Sequence, residues 1–263
     1  MDGIKALAET SKFYKENLRQ NPDSAFAKYI YNKRKYNSDT VATFGLGIAE
    51  NMIGVSVAEH LKKLGYTNEL AEEYGIVYKN NNEIVDCMHN RFTIEIRDVF
   101  GNLVGFSGRV LGDTKRFKYL NTKATPCFQK SKIVFNLDKA KYYLDYFTEP
   151  YLIIVEGHCD VMSLWQNGIR NVVAIMGTSC SESHAKLIKM FCRKVVLCLD
   201  SDKAGQDATL RSERVLTEQG IEVCKMCLPI GKDADEFMQM KDGKELFKNL
   251  VATAIKIKKE KLQ

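Results

Sequence analysis

The chain has 263 residues, 45% of them hydrophobic and 27% charged, which excludes a disordered or low-complexity protein and leaves room for one large core or two small ones. No apolar run reaches the length of a membrane span, and the start Met1-Asp2-Gly3-Ile4-Lys5 lacks the basic-then-apolar order of a secretion signal, so the expected location is the cytoplasm. The net charge of +6 is too small to name a partner by itself.

Residues 4–19 carry Ile4, Leu7, Ala8, Phe13, Tyr14 and Leu18 at helical spacing. Asn21-Pro22-Asp23 is a stop and turn, and Ser24 is placed to cap a second helix that ends in Lys33-Arg34-Lys35. The stretch Phe44-Gly45-Leu46-Gly47-Ile48 reads as a strand or loop that needs close backbone approach. Residues 56–64 and 68–74 read as short helices, each followed by a glycine, Gly65 or Gly75, at the C-cap. From Arg91 the period becomes two: Phe92, Ile94 and Ile96 alternate with Thr93, Glu95 and Arg97. A turn at Gly101-Asn102 and the run Leu103-Val104-Gly105-Phe106 complete a β-hairpin, and residues 117–120 supply a third strand.

The basic residues Arg109, Lys115, Arg116, Lys118, Lys123, Lys130 and Lys132 face the single acid Asp113, so this window alone holds an excess equal to that of the whole chain. A strip of this kind suits a polyanion, or is only a solvated face.

After Glu149-Pro150 the pattern changes. Residues 151–155, 172–175 and 194–199 are continuous apolar runs, as in strands covered on both sides, and residues 221–226 are a fourth. Helical patterns at 160–167, 183–191 and 204–219 lie between them, which predicts a mostly parallel α/β sheet. Residues 244–262 form a basic amphipathic helix. The 8 cysteines sit mostly in apolar runs; Cys224 and Cys227 form an isolated pair without the second pair of a zinc site, and Cys198 and Cys224 read as small buried strand residues, as in a reducing compartment.

Ligands of open parallel sheets bind beyond the carboxyl ends of the strands. The ends here carry Glu156-Gly157 with Asp160, then Asp200-Ser201-Asp202-Lys203-Ala204-Gly205, then Asp233-Ala234-Asp235. Capping of the next helix accounts for any one of these acids. It does not account for acids at three strand ends together, which repel one another until a cation neutralises them. Hard oxygen ligands point to Mg²⁺ or Mn²⁺, and several carboxylates around two such ions serve phosphoryl and nucleotidyl transfer.

Val155-Glu156-Gly157, Gly177-Thr178-Ser179 and Asp200-Ser201-Asp202-Lys203-Ala204-Gly205 resemble the TOPRIM fold of bacterial primases, type IA and II topoisomerases and some nucleases. The stretches 91–98, 105–111 and 118–121, with Phe128-Gln129-Lys130 leading to Phe135-Asn136-Leu137, are similar to the basic subdomain that precedes TOPRIM in DnaG-type primases. The resemblance runs from about Phe44 to about Phe237. It implies an α+β basic subdomain over 1–149, an α/β TOPRIM subdomain with a mostly parallel sheet over 150–237, and a short C-terminal helical segment over 238–263. Glu156 is then the TOPRIM glutamate, a metal ligand or acid/base; Asp200, Asp202 and Asp233 are metal ligands, with Asp160 and Asp235 as additional acids; Glu156, Asp200 and Asp202 are the catalytic set. Arg91, Arg109, Lys118, Tyr119, Asn121 and Lys130 match the nucleic-acid and nucleotide-binding positions.

Two positions depart from the family pattern: Glu95, where proline is usual, and Ala234, where proline is more usual. The cysteine spacing of the family's zinc module is absent from these residues, so no zinc is expected here, and the sequence fits either a core piece or a compact phage- or plasmid-type enzyme. The resemblance implies RNA primer synthesis from ribonucleoside triphosphates on single-stranded DNA by two-metal nucleotidyl transfer, and a replicative helicase as partner through regions not in these residues. A TOPRIM nuclease or topoisomerase fragment, or a non-catalytic DNA-binding module, remains as an alternative.

Overall fold

The structure, a computed structural model, describes residues 2–50, 55–112, 117–177, 179–199, 203–229 and 232–260. The chain divides into two compact units, one of Met1–Arg97 with Asn102–Gln129 and one of Asp98–Gly101 with Lys130–Gln263.

The first unit begins with α1 (Asp2–Gln20), whose apolar stripe buries Leu7, Phe13, Tyr14 and Leu18. Ser24 caps α2 (Ala25–Lys28) by accepting from the Ala27 amide, and the chain runs on through a π-type turn at Tyr29–Lys33. Then follow α3 (Ser38–Thr43), β1 (Gly47–Ala49), α4 (Val57–Lys63) with a Ser56/Glu59 capping box, and α5 (Asn68–Glu73). Gly65 and Gly75 stand after the two helices at φ +87° and +67°, the left-handed geometry that ends a helix without a Cβ clash.

A hairpin of β2 (Val77–Asn80) and β3 (Glu83–Asp86) comes next, turning through Asn81 at φ 53°. No clear period in residues 77–86 announces it. Strands β4 (Arg91–Arg97), β5 (Leu103–Arg109) and β6 (Tyr119–Asn121) join β1 in an antiparallel sheet of order β1-β4-β5-β6.

The alternation in β4 predicts a solvated polar face, yet Thr93 is fully buried and Glu95 is only 5% exposed. Helix α1 covers that face and supplies partners. Glu95 takes a hydrogen bond from the Ser11 hydroxyl and ion pairs at 2.5 Å from Lys15 and Arg97. Burial raises the Glu95 pKa, but these three donors outweigh it and hold the carboxyl below its ordinary range. A proline at this position could make none of these contacts through its side chain.

Tyr14 packs edge-on against Phe106, and its hydroxyl donates to Asp86 at 2.7 Å. Burial pushes the Asp86 pKa from 3.8 up to about 6, against the lowering effect of the Tyr14 hydroxyl and the Met88 amide. A carboxyl whose folded pKa is raised contributes stability that is present below its unfolded pKa and lost as pH rises through the folded one. Stability is therefore expected to fall between about pH 4 and pH 6. Asp86→Asn keeps an oxygen for both donors and removes the charge. It is expected to abolish that slope and to stabilise the protein at pH 7 by up to about 2 kcal/mol, less whatever solvent screens at this partly exposed side chain. Urea unfolding at pH 4 and pH 7 measures both effects; an unchanged slope in the variant assigns the pH dependence elsewhere.

The second unit starts with a 3₁₀ turn at Lys130–Lys132, then α6 (Leu137–Ala140) and a 3₁₀ segment at Lys141–Tyr146. Four strand–helix repeats follow: β7 (Leu152–Val155), α7 (His158–Gln166), β8 (Val172–Ala174), α8 (Glu182–Lys189), β9 (Lys194–Cys198), α9 (Lys203–Glu218), β10 (Glu222–Lys225) and α10 (Ala234–Met238). Helix α11 (Gly243–Glu260) closes the described chain. The sheet order is β10-β9-β7-β8, all parallel. Leu152, Ile154, Val173, Val195 and Leu197 form its core with Ala185, Ile188 and Leu216 from the helices. Cys198 and Cys224 are buried strand residues, as expected. The separate segment Asp98–Gly101 belongs to this unit: Val99 packs on the core, and its carbonyl accepts from Lys141 Nζ at 2.7 Å.

Candidate active site

The strand order locates the site. From β7 the chain crosses through α7 to β8 on one side, then returns through α8 to β9 on the other side of β7. The crevice at the carboxyl ends of β7 and β9 is thus the switch point where open α/β sheets bind ligands. The register pairs Val155 with Cys198, so Glu156 leaves one strand where Leu199 leaves the other.

Glu156 is exposed at the end of β7. Asp160, only 7% exposed, accepts from the Gly157 amide at 3.0 Å with Oδ2 and from the Asp235 amide at 3.2 Å with Oδ1. It therefore fastens the first turn of α7 to the first turn of α10. This contact brings the Glu156 loop beside the Asp233–Asp235 segment, a pairing no spacing in the sequence announces. Asp233 caps α10 by accepting from the Glu236 amide at 2.7 Å. Asp235 is 1% exposed and accepts from Gln239 at 3.4 Å. Asp200 and Asp202 lie outside the described residues. Among the described residues, no group of three or more His, Cys, Asp or Glu side chains stands close enough to hold a metal ion.

Next to Glu156, His158 is buried edge-on against Phe135 at 4.6 Å, and burial together with the nearby Lys130 ammonium lowers its pKa to about 3. Lys130 reaches the same edge from the 3₁₀ turn: a Cβ added to Gly177 would lie 3.8 Å from Lys130 Nζ.

Of the other basic positions, Lys118 is exposed, while Tyr119 and Asn121 are partly buried. Arg109 departs from the expectation of a solvent-facing strip, and Arg91, which lies outside that strip, is buried as well. Arg91 is 2% exposed because its Nη1 donates to the carbonyls of Gly108, Phe117 and Lys118 at 3.1, 2.9 and 3.3 Å, fixing the connection from β5 to β6. Arg109 is 9% exposed; it donates to the Tyr119 hydroxyl at 2.8 Å and its guanidinium lies 4.9 and 5.2 Å from the ring centres of Tyr29 and Tyr119. The strand register puts Arg109, Tyr119, Ser107 and Asn121 on one face of the sheet. On that face Ser107 Oγ and Asn121 Oδ1 are buried without a hydrogen-bond partner among the described residues. Such atoms are uncommon in a folded protein. Residues Lys115 and Arg116 of the strip lie outside the described residues.

An apolar cavity of about 770 Å³ lies away from these acids, between α11 and the region around Phe147, Ile169 and Asn171. Asn171 immediately precedes β8, so the cavity is at the amino edge of the sheet.

A parallel sheet of this order, acidic where β7 ends, together with a separate antiparallel unit holding buried arginines, defines a TOPRIM-type α/β protein with an added basic unit. Known families also divide the chain in two, with the boundary later than that between the compact units. Residues 13–141 match the family described as DNA primase catalytic core, N-terminal domain, and residues 153–238 match the Toprim-like family. A DNA primase of Clostridium acetobutylicum is 38% identical over 249 residues, 95% of this chain and 40% of the relative. The Aquifex aeolicus primase structure, with its zinc-binding and RNA polymerase domains, superposes with a TM-score of 0.85 at 30% identity over 95% of this chain and 60% of that one. A DnaG primase catalytic domain solved bound to single-stranded DNA gives a TM-score of 0.81 at 30% identity, over 95% of this chain and 78% of that one. The chain belongs to the DnaG-type primase family. It spans about 40% of the length of the curated relative.

Proposed function

We propose that this chain is a primase catalytic core that joins ribonucleoside triphosphates into short RNA primers on single-stranded DNA. The observation that carries the proposal is the exposed Glu156 at the switch point of a TOPRIM-type sheet, in a chain of the primase family. Residues 1–149 are the basic subdomain, 150–237 the TOPRIM subdomain and 238–263 the C-terminal helical segment.

Glu156, Asp200, Asp202 and Asp233 hold divalent cations, with Asp160 and Asp235 beside them. The donor set fits Mg²⁺ or Mn²⁺: carboxylate oxygens, one of them on the exposed Glu156 and one on Asp233 left over from its capping bond. When bound, such cations supply positive charge that favours ionisation of the primer 3′-hydroxyl and departure of pyrophosphate. Glu156 serves either as one of these ligands or as the acceptor of the hydroxyl proton. Lys130 offers its ammonium to the triphosphate at the carboxyl edge. Arg109 presents Tyr119 for stacking on a base, and Asn121 lies on the same face of the sheet. Lys118 contacts phosphate. Arg91 acts at one remove, by holding the backbone on which Lys118 stands.

A replicative helicase is the proposed partner, reached through regions outside these residues, and the cytoplasm is the proposed setting. Among the described residues, no helix is long and apolar enough to cross a membrane.

With single-stranded DNA, ribonucleotides and Mn²⁺, short RNA is the expected product, resolved on a denaturing gel. Cleavage of the DNA without synthesis overturns the proposal and favours a TOPRIM nuclease.

A further inference from the structure

The Lys130–Lys132 turn has no buried residue of its own, so its position depends on what grips its backbone. Helix α8 provides the grip. His184 Nε2 lies 3.0 Å from the Lys130 carbonyl, and the Ser181 hydroxyl donates to the Ser131 carbonyl at 2.8 Å. His184 is only 4% exposed. Its other ring nitrogen, Nδ1, accepts from the Ser181 amide at 3.2 Å. A ring that accepts at Nδ1 carries its proton on Nε2, so Nε2–H is the donor to Lys130. Burial lowers the His184 pKa against the raising effect of its backbone partners at Lys130 and Ile133, and the Lys130 charge lowers it further. Ser181 and His184 thus engage two successive carbonyls of the turn.

The turn matters because of where its first side chain goes. Lys130 extends over Gly177, beyond the end of β8, where an added Cβ would lie 3.7 Å from its Cε and 3.8 Å from its Nζ. A shift of the Lys130 backbone moves the ammonium along the carboxyl edge.

We propose that His184 is a positioning residue for the triphosphate site: its Nε2–H holds the Lys130 carbonyl and so sets the ammonium at the sheet edge. This rests on the primase proposal for the identity of the phosphate ligand. The competing role is local, since His184 also occupies the third position of α8 and completes its capping box.

Two substitutions separate the roles. His184→Asn places an oxygen where Nδ1 was, keeps the bond from the Ser181 amide and loses the reach to Lys130. His184→Gln places an N–H near Nε2, keeps the Lys130 bond and loses the cap. Two readouts are taken on the full chain: the Kd for inorganic triphosphate by calorimetry, and the KM for ribonucleotides in primer synthesis. Lys130→Ala serves as reference. His184→Asn is expected to melt no lower than His184→Gln, yet to weaken triphosphate binding and raise KM by about tenfold, as is expected of Lys130→Ala. His184→Gln is expected to recover most of the binding while melting lower. Wild-type binding by His184→Asn, or equal weakening in both variants in step with lost stability, overturns the proposal. Absence of primer synthesis by the wild type, with the triphosphate pattern intact, overturns the primase reading and supports the Lys130 latch.

Discussion

Glu156→Gln is expected to lower primer synthesis by about 10²–10⁴-fold while the protein keeps its fold. The side chain is exposed and follows the last residue of β7, so the isosteric amide disturbs no packing. What it removes is a charge, and with it a metal ligand or proton acceptor. Thermal melting supplies a readout independent of activity. A cation bound only by the native state stabilises it by about 2.7 kcal/mol at a hundred times its Kd. For a protein of this size that is a rise in Tm of about 5–10 °C on adding Mn²⁺. Glu156→Gln should lose most of the rise, and Asp202→Asn should do the same.

Asp160→Asn makes the informative contrast. Each Asp160 oxygen accepts from a backbone amide, Gly157 on one side and Asp235 on the other. An asparagine amide has one oxygen and one donor group, so one of these amides must face an N–H. This variant should melt lower than wild type even without metal, by about 1–3 kcal/mol. A Glu156→Gln protein that synthesises normally and keeps the full Mn²⁺ shift removes Glu156 from the site.

The other large effect concerns stability. Gly47→Ala is expected to cost about 3 kcal/mol or more, because the added Cβ would lie 2.6 Å from the Tyr14 carbonyl carbon and 2.7 Å from its oxygen. These atoms belong to the backbone of α1 and cannot rotate away. The helix cannot retreat either: Asn17 in the next turn donates to the carbonyls of Ile48 and Glu50 at 2.9 and 2.7 Å. Gly65→Ala is the control, at φ +87° but with open space around it, and should cost only about 1 kcal/mol. Urea unfolding that ranks the two equally would refute close packing as the cause.

Elements with a strong period and clear punctuation were readable from the residues. The stripe of α1, the glycines after α4 and α5, the hairpin of β4 and β5, and the apolar runs of the parallel sheet all emerged near their expected bounds. Each is set by local chemistry. The β2–β3 hairpin was not, because only Asn81-Asn82 separates two strands that are short and rich in polar residues. Burial of the polar face of β4 was also hidden: whether Glu95 meets water or Lys15 depends on a helix about eighty residues earlier in the chain. The same holds for Arg91 and Arg109. Their charges read as surface, and three carbonyls and two aromatic rings turn them inward. At the acidic edge the sequence supplied the residue types and the strand ends, while the Asp160 bond to the Asp235 amide came only from the folded chain. His184 carried no signal at all, since a histidine at that helix position resembles any other polar surface residue.

The short segment Asp98–Gly101 bears on how the chain can be cut and how it matures. A fragment begun at Lys130 would encode every strand and helix of the parallel unit and still lack Val99, leaving the Lys141 ammonium without that carbonyl and the core without that side chain. The unit is discontinuous in sequence. On the ribosome, the segment emerges about thirty residues before the rest of its unit, so an early hairpin must wait with Val99 uncovered until translation delivers the sheet.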